Sequence, residues 1–203
     1  MRVDGGSLGR SNGAVDLGAP MGIKPWTLLN SRMVFNSRWV ALRQDTVQLP
    51  DGLEVDDYFV SVRPDVANVF PLTPDDRVVL VKQYKHGIQQ ITLELPAGTF
   101  SDESPELAAR RELLEETGYQ CGSLKPLGQA YENASRNTNT VHMFLATECA
   151  LTPARSLQDL EASAGIDVVT IPRSELLLQI RSGMINELSS VATILRALDA
   201  LAQ

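Results

Sequence analysis

Apolar and polar residues alternate over residues 39–49 and again over 58–62, with Pro50-Asp51-Gly52 between them. This pattern predicts two strands joined by a turn. Two further β-rich runs, 67–72 and 77–84, flank the turn sequence Thr73-Pro-Asp-Asp, and a shorter one at 91–95 leads into Pro96-Ala97-Gly98. The period then changes. Ser104 suits an N-cap, Pro105 the first helical position, Glu106 the first turn and Gly118 the place just past the last turn, so they bound a helix. Residues 140–146 read as a strand, 152–165 as a long polar loop and 166–171 as another strand. One helix is expected from near Pro172 to Gly183. A second runs from about Asn186, with Leu188, Val191, Leu195, Leu198 and Leu201 as its apolar stripe. No internal repeat is present. Strands outnumber helices and neighbours are joined by tight turns, which predicts a mixed or antiparallel sheet.

Length and composition narrow the picture. A chain of 203 residues holds one compact domain plus an appendage, and 43% hydrophobic residues supply a core. The net charge of −7 disfavours non-specific nucleic-acid binding, which depends on cations that neutralise phosphates. No apolar run is long enough to span a bilayer, and the start lacks a charged-then-apolar leader, so the expected location is cytoplasmic. Cys121 and Cys149 form neither a disulfide framework nor a zinc pattern and are expected to be ordinary packed or surface thiols. Residues 1–20 hold five of the 14 glycines and little apolar content, which predicts a flexible tail.

The segment carrying candidate chemistry is 98–119. On a helix, Glu112, Glu115 and Glu116 stand at i, i+3 and i+4 and share one face, with Glu103 just ahead of the helix. Spacing leaves two readings open. One is a solvated charged helix with ordinary pairs such as Arg111 with Glu115. The other is a site for a hard divalent cation, which takes several oxygen ligands. The like-charge pairs made by Glu112 with Glu115 and Glu116 work against the first.

The same residues resemble the Nudix box, Gly-x5-Glu-x7-Arg-Glu-U-x-Glu-Glu-x-Gly-U, where U is a bulky apolar residue. Glu103, Arg111, Glu112, Leu113, Glu115, Glu116, Gly118 and Tyr119 fall on it. Only four residues separate Gly98 from Glu103 where the family has five. Either the loop is one residue shorter or Ala97 replaces the glycine. Gln83-Tyr84-Lys85, Glu94-Leu95-Pro96-Ala97-Gly98 and the flanking elements extend the resemblance to the ADP-ribose pyrophosphatase branch over about residues 26–201. The resemblance implies an α/β fold, an α/β/α sandwich around a mixed β-sheet. The implied division is a tail over 1–22, an N-terminal β-extension used for homodimerisation over 23–63 and the hydrolase domain over 64–203.

It also implies an activity: hydrolysis of the pyrophosphate in ADP-ribose or a related nucleoside diphosphate sugar, with Mg²⁺ or Mn²⁺. Glu112 and Glu116 would be the main metal ligands, with the Ala97 carbonyl, and Glu115 a further ligand or a support behind them. Arg111 would hold the glutamates and Glu103 would pair with it or support the metal shell. The general base would come from the loop after the later strands, where Glu161 is the first candidate and Asp159 the second. Trp26 and Trp39 are candidates for stacking the base, and Lys85 and Arg136 for meeting the phosphates. For Trp39 a place in the core or an interface, within an alternating strand, is the competing reading. The proline that ADP-ribose enzymes often carry past the box is absent around Glu132-Asn-Ala-Ser135-Arg136, so another nucleoside diphosphate sugar, NADH or a dinucleoside polyphosphate stays open. His86 and His142 lack partners at ligand spacing and are expected to play no chemical role. The rival class is a catalytically silent Nudix domain serving as a metabolite sensor or interaction module. Such domains usually lose a box glutamate, and this one keeps all four.

Overall fold

The computed structural model describes residues 22–152 and 165–203. Alternation along one strand organises the molecule. In β4 (Asp65–Pro71), Ala67 and Val69 point to one face while Asn68 and Phe70 point to the other, and all four are buried. The strand is therefore covered on both sides. Its neighbours give the order β7-β4-β10-β9, with β7 at Ala97–Phe100, β9 at Ser123–Ala130 and β10 at Val141–Thr147. β10 runs parallel to β4, while β7 and β9 pair antiparallel, so the sheet is mixed. A second sheet has the order β12-β5-β6, formed by β5 (Arg77–Lys85), β6 (Gln90–Glu94) and β12 (Asp167–Pro172).

Each face of β4 meets its own core. Ala67, Val69, Phe144 and Ala146 pack against Ala108, Ala109 and Leu113 of helix α1 (Pro105–Thr117). On the other side Phe70, Val78, Leu80, Leu95 and Leu145 pack with Leu176 of α2 (Leu176–Arg181) and with Ile194 and Ala197 of α3 (Leu188–Ala202). The result is the expected α/β/α layering. Among the described residues no helix is long and apolar enough to cross a membrane.

The fold departs from the sequence reading in several places. β1 (Thr27–Asn36) extends the N-terminal hairpin of β2 (Ala41–Gln48) and β3 (Glu54–Val62) into a three-stranded antiparallel sheet. Its apolar residues cluster rather than alternate, and every residue of the strand is exposed. β9 was also unforeseen, because Pro126 and Gly128 lie inside it; a register shift between Met143 and Phe144 accommodates them. The helix expected from Pro172 is shorter: β12 runs through Pro172 and a single 3₁₀ turn, Arg173–Glu175, precedes α2.

Candidate active site

α1 is fixed at both ends and along one side. Ser104 Oγ accepts the Leu107 N–H at 3.3 Å, and Gly118, at φ 76°, donates its N–H to Leu114 O at 2.8 Å. A left-handed residue there favours glycine. Burial of Ala108, Ala109 and Leu113 sets the rotation of the helix. Glu112 and Glu116, one turn apart, then fall beside β7, each 3% exposed.

Two carboxylates so deeply buried need compensating partners. Glu116 Oε2 accepts the Ala97 N–H at 2.9 Å. Arg111 Nη1 donates to Glu112 Oε1 at 2.7 Å and to Glu115 Oε2 at 2.9 Å. The other side of the guanidinium holds Glu103, with Nε and Nη2 at 2.9 and 2.7 Å from Oε1. One planar cation thus joins three carboxylates, which a point-charge lysine would do less well. Burial pulls the Arg111 pKa down, but Glu103, Glu112 and Glu115 outweigh it and hold the group well above the ordinary arginine value.

Gly98 settles the question left by the box spacing. A Cβ built there would lie 2.0 Å from the Glu112 carboxyl carbon. Gly98 is therefore the glycine the carboxylate requires, and the turn from Gly98 to Glu103 is one residue shorter than the pattern.

Together, Gly98, Phe100, Glu103, Arg111, Glu112 and Glu115 line a cleft of ≈570 Å³. Pro64 and Thr99 belong both to it and to a neighbouring cleft of ≈530 Å³ bounded by Arg38, Trp39 and Arg63. The two clefts adjoin at Pro64 and Thr99. The donors along the first part are all oxygens, the chemistry that a hard divalent cation takes. Glu112, Glu115, Glu116 and the Ala97 backbone fit that chemistry. Among the described residues no three acidic, histidine or cysteine side chains stand as a ready-made cation cage. In the structure Arg111 Nη1 bonds both Glu112 and Glu115. A cation entering here competes with that guanidinium.

The remaining candidates are dispersed. Lys85 Nζ lies 2.9 Å from Glu94 Oε2, in a separate cleft with Thr92, Asn186 and Glu187. Glu94 is buried, also accepts from Thr92 Oγ1 at 2.6 Å, and was not singled out by sequence reasoning; an acidic residue closing the alternating strand β6 was the available signal. Arg136 lies over the Tyr58 ring at 5.5 Å, and Trp26 meets the same ring edge-on at 5.6 Å. These three belong to the N-terminal sheet and its contact with the loop before β10. Trp39 is in the turn between β1 and β2, not in an alternating strand, and it is 67% exposed rather than in the core. The Arg38 guanidinium stacks on it at 4.5 Å. Arg38 and Arg63 are further cations of the groove that the sequence reading did not single out. His142 is partnered: it lies 3.2 Å from Asp65 Oδ2 and 3.2 Å from Gln129 Nε2, under the Phe100 ring. Glu161 and Asp159 lie outside the described residues.

Comparison with known proteins agrees with this geometry. The chain is 26% identical over 167 residues to a methanol dehydrogenase activator of Bacillus methanolicus, covering 82% of this chain and 89% of that protein. It is 27% identical over 150 residues to an ADP-ribose pyrophosphatase of Bacillus subtilis (strain 168), covering 73% and 80%. A GDP-mannose pyrophosphatase of Yersinia enterocolitica is 32% identical over 120 residues, covering 56% and 62%. A solved structure described as an ADP compounds hydrolase superposes with a TM-score of 0.79 at 20% identity, covering 90% of this chain and 97% of that one, which shows the shared fold. Residues 26–61 match the nucleoside diphosphate sugar hydrolase N-terminal domain. Since residues 62–184, holding α1 and its carboxylates, match the NUDIX domain, the chain belongs to the NUDIX family.

Proposed function

We propose that this protein hydrolyses the pyrophosphate linkage of ADP-ribose or a related nucleoside diphosphate sugar, giving a nucleoside monophosphate and a sugar phosphate. The observation that carries this reading is the groove: an oxygen-rich wall of Glu112, Glu115, Glu103 and Arg111 runs into a second part bounded by Trp39, Arg38 and Arg63. A diphosphate with a ring on one side requires both halves. The names of two relatives, an ADP-ribose pyrophosphatase and a GDP-mannose pyrophosphatase, point to the same substrate class.

Members of the family use divalent cations. Here Mg²⁺, or Mn²⁺ in its place, would be held by Glu112, Glu116, the Ala97 carbonyl and Glu115. When bound, it neutralises phosphate charge and acidifies a bound water. The protein's own part is to order these groups. Arg111 keeps Glu112 and Glu115 on the groove wall, and the Ala97 N–H fixes Glu116. The exposed face of Trp39 offers a stacking surface for the base, with Arg38 on the indole. As water adds to phosphorus, the bridging P–O bond breaks and the water must lose a proton. We assign that proton to Glu161, with Asp159 next, because the box glutamates are committed to metal. Lys85 and Arg136, engaged with Glu94 and Tyr58, meet phosphate only if substrate displaces those contacts. The working form is taken to be a cytoplasmic homodimer built through residues 23–63, with 64–203 as the catalytic unit.

The test is a panel of nucleoside diphosphate sugars, NADH and dinucleoside polyphosphates, assayed with Mg²⁺ and followed by alkaline phosphatase release of phosphate. Turnover of a nucleoside diphosphate sugar is expected. No turnover of any member would make the chain a silent sensor or interaction module. Glu161→Gln should cut kcat by about 10²–10⁴-fold with Mg²⁺ dependence unchanged; full activity in it and in Asp159→Asn would remove both residues from the chemistry.

A further inference from the structure

Beside α1, at a second cleft that Arg111 also lines, lies a feature the hydrolase reading does not use. β8 (Tyr119–Gln120) pairs antiparallel with β11 (Ala150–Leu151), Gln120 opposite Ala150 and Tyr119 opposite Leu151. Beyond the short gap, Ser123 is opposite Thr147 in the β9–β10 ladder, which is the same register continued. Counted in that register, Cys121 stands opposite Cys149 in the gap between two separate ladders, where Glu148 turns to φ 56°. They do not exchange backbone hydrogen bonds in the usual paired way: the Cys149 N–H goes to Leu72 O at 3.0 Å, and Cys121 O accepts from Arg110. Residues opposite each other across antiparallel strands have Cα atoms about 4.5–5.5 Å apart, within the range of about 4.4–6.8 Å that a disulfide spans, and the Cys121 thiol is near enough to Cys149 to raise its pKa. Both sulfurs are free, and both belong to the apolar cluster under α1.

The two thiols differ in access. Cys149 is 1% exposed. Cys121 is half-buried and opens into a cleft of ≈420 Å³ lined also by Arg110, Arg111, Leu113, Leu114 and Gln120. Arg110 Nη1 lies 3.2 Å from Cys121 Sγ. This guanidinium favours thiolate and offers a counter-charge to an incoming anionic reagent. Burial nonetheless raises the Cys121 pKa, Arg110 opposing it, and burial followed by the nearby Cys121 pushes Cys149 up to about 12. Only Cys121 is placed to react first, and slowly.

We infer that Cys121 and Cys149 are a redox-active thiol pair, oxidised to an intramolecular bridge by anionic low-molecular-weight disulfides that enter at Cys121 beside Arg110. The Cys121 thiolate attacks one sulfur of the small disulfide, whose S–S bond breaks and releases one thiolate. Cys149 then attacks the Cys121 sulfur of the mixed disulfide and the second small thiolate leaves, taking up the proton that Cys149 loses. Two protein thiols are oxidised and one small disulfide is reduced to two thiols. The bridge constrains residues 121–149 in the unfolded chain and stabilises the fold.

The full-length protein is incubated with oxidised glutathione and its intact mass followed. The wild type should end two hydrogens lighter, without retained glutathione, melt at higher temperature and revert with reductant. Cys149→Ser should stop at a single glutathione adduct on Cys121. Cys121→Ser should remain unmodified while folded, which separates access from mere reactivity. Arg110→Gln should react several-fold more slowly with oxidised glutathione and at an unchanged rate with neutral hydroxyethyl disulfide. A wild type that keeps both thiols, or that stops at the Cys121 adduct, overturns the bridge. Modification of Cys149 in folded Cys121→Ser overturns the point of entry.

Discussion

At the scale of single residues, the site is a carboxylate cluster ordered by one guanidinium. Arg111 joins Glu103, Glu112 and Glu115, and Glu116 accepts the Ala97 N–H, which reduces the like-charge repulsion and leaves negative charge in excess. Glu112→Gln and Glu116→Gln keep shape and an acceptor oxygen while removing ligand charge. Each should lower kcat by orders of magnitude and raise the Mg²⁺ concentration needed, with thermal unfolding little changed. Near wild-type turnover in either would remove it from the ligand set. Gly98→Ala is a sharper probe, because its Cβ must displace the Glu112 carboxylate. Activity and Mg²⁺ response should both fall, while circular dichroism stays native; an active Gly98→Ala would mean that Glu112 does not need its observed position. The glutamate set was legible because helical spacing fixes which side chains share a face. The role of Gly98 was not, because it depends on how closely β7 approaches α1. Lys85 and Arg136 show the same limit: a cation's type is written in the chain, but its partner, Glu94 or Tyr58, comes from the fold.

At the scale of elements, α1 was legible because its ends follow chain-local rules: Ser104 and Pro105 at one end, Gly118 at the other. α3 shows why others were not. The sequence reading began it near Asn186, a common capping residue, whereas Glu187 does the capping. Its carboxylate accepts the N–H groups of Ser189 at 2.9 Å and Ser190 at 2.7 Å, and the Ser189 hydroxyl at 2.7 Å. Burial pushes the Glu187 pKa up, but these bonds from Ser189 and Ser190 outweigh it, and the group titrates below the ordinary glutamate value. With the folded value depressed, the stabilisation is fully present above the unfolded pKa, about 4.3, and disappears as pH falls through the lowered one. Glu187→Ala should cost about 0.5–2 kcal/mol near neutrality. Urea titrations across the acid range should show the difference from wild type shrinking only below the ordinary glutamate pKa. A difference independent of pH would assign the loss to packing rather than to the charged cap. β1 and β9 escaped for the opposite reason. Neither alternates cleanly, and their pairing is set by β2 and β10 rather than by their own residues.

At the scale of the whole molecule, two matters of charge and surface remain to be reconciled with an anionic substrate. The chain carries a net charge of −7, which repels diphosphates at long range. Arg38 and Arg63 beside the site offset this locally, so capture should depend on contact rather than on steering. The second matter is the N-terminal sheet. Leu28, Leu29, Met33, Val34 and Phe35 of β1 are all exposed, an apolar surface that a protein in water tends to cover. A second copy of the same sheet, related by a two-fold axis, is the simplest closed cover. Sedimentation at micromolar concentration should therefore give a dimer. Met33→Asp with Phe35→Asp, both exposed on β1, should give a monomer whose melting temperature no longer varies with protein concentration. If Trp39 stacks the base, Trp39→Ala should raise KM with little change in kcat, since stacking far from the reacting phosphorus binds substrate and transition state alike. Should the β1 variant be monomeric and keep wild-type KM and kcat, each groove is complete within one chain and the sheet serves assembly alone. Should KM rise as it does in Trp39→Ala, the partner's sheet forms part of the binding wall.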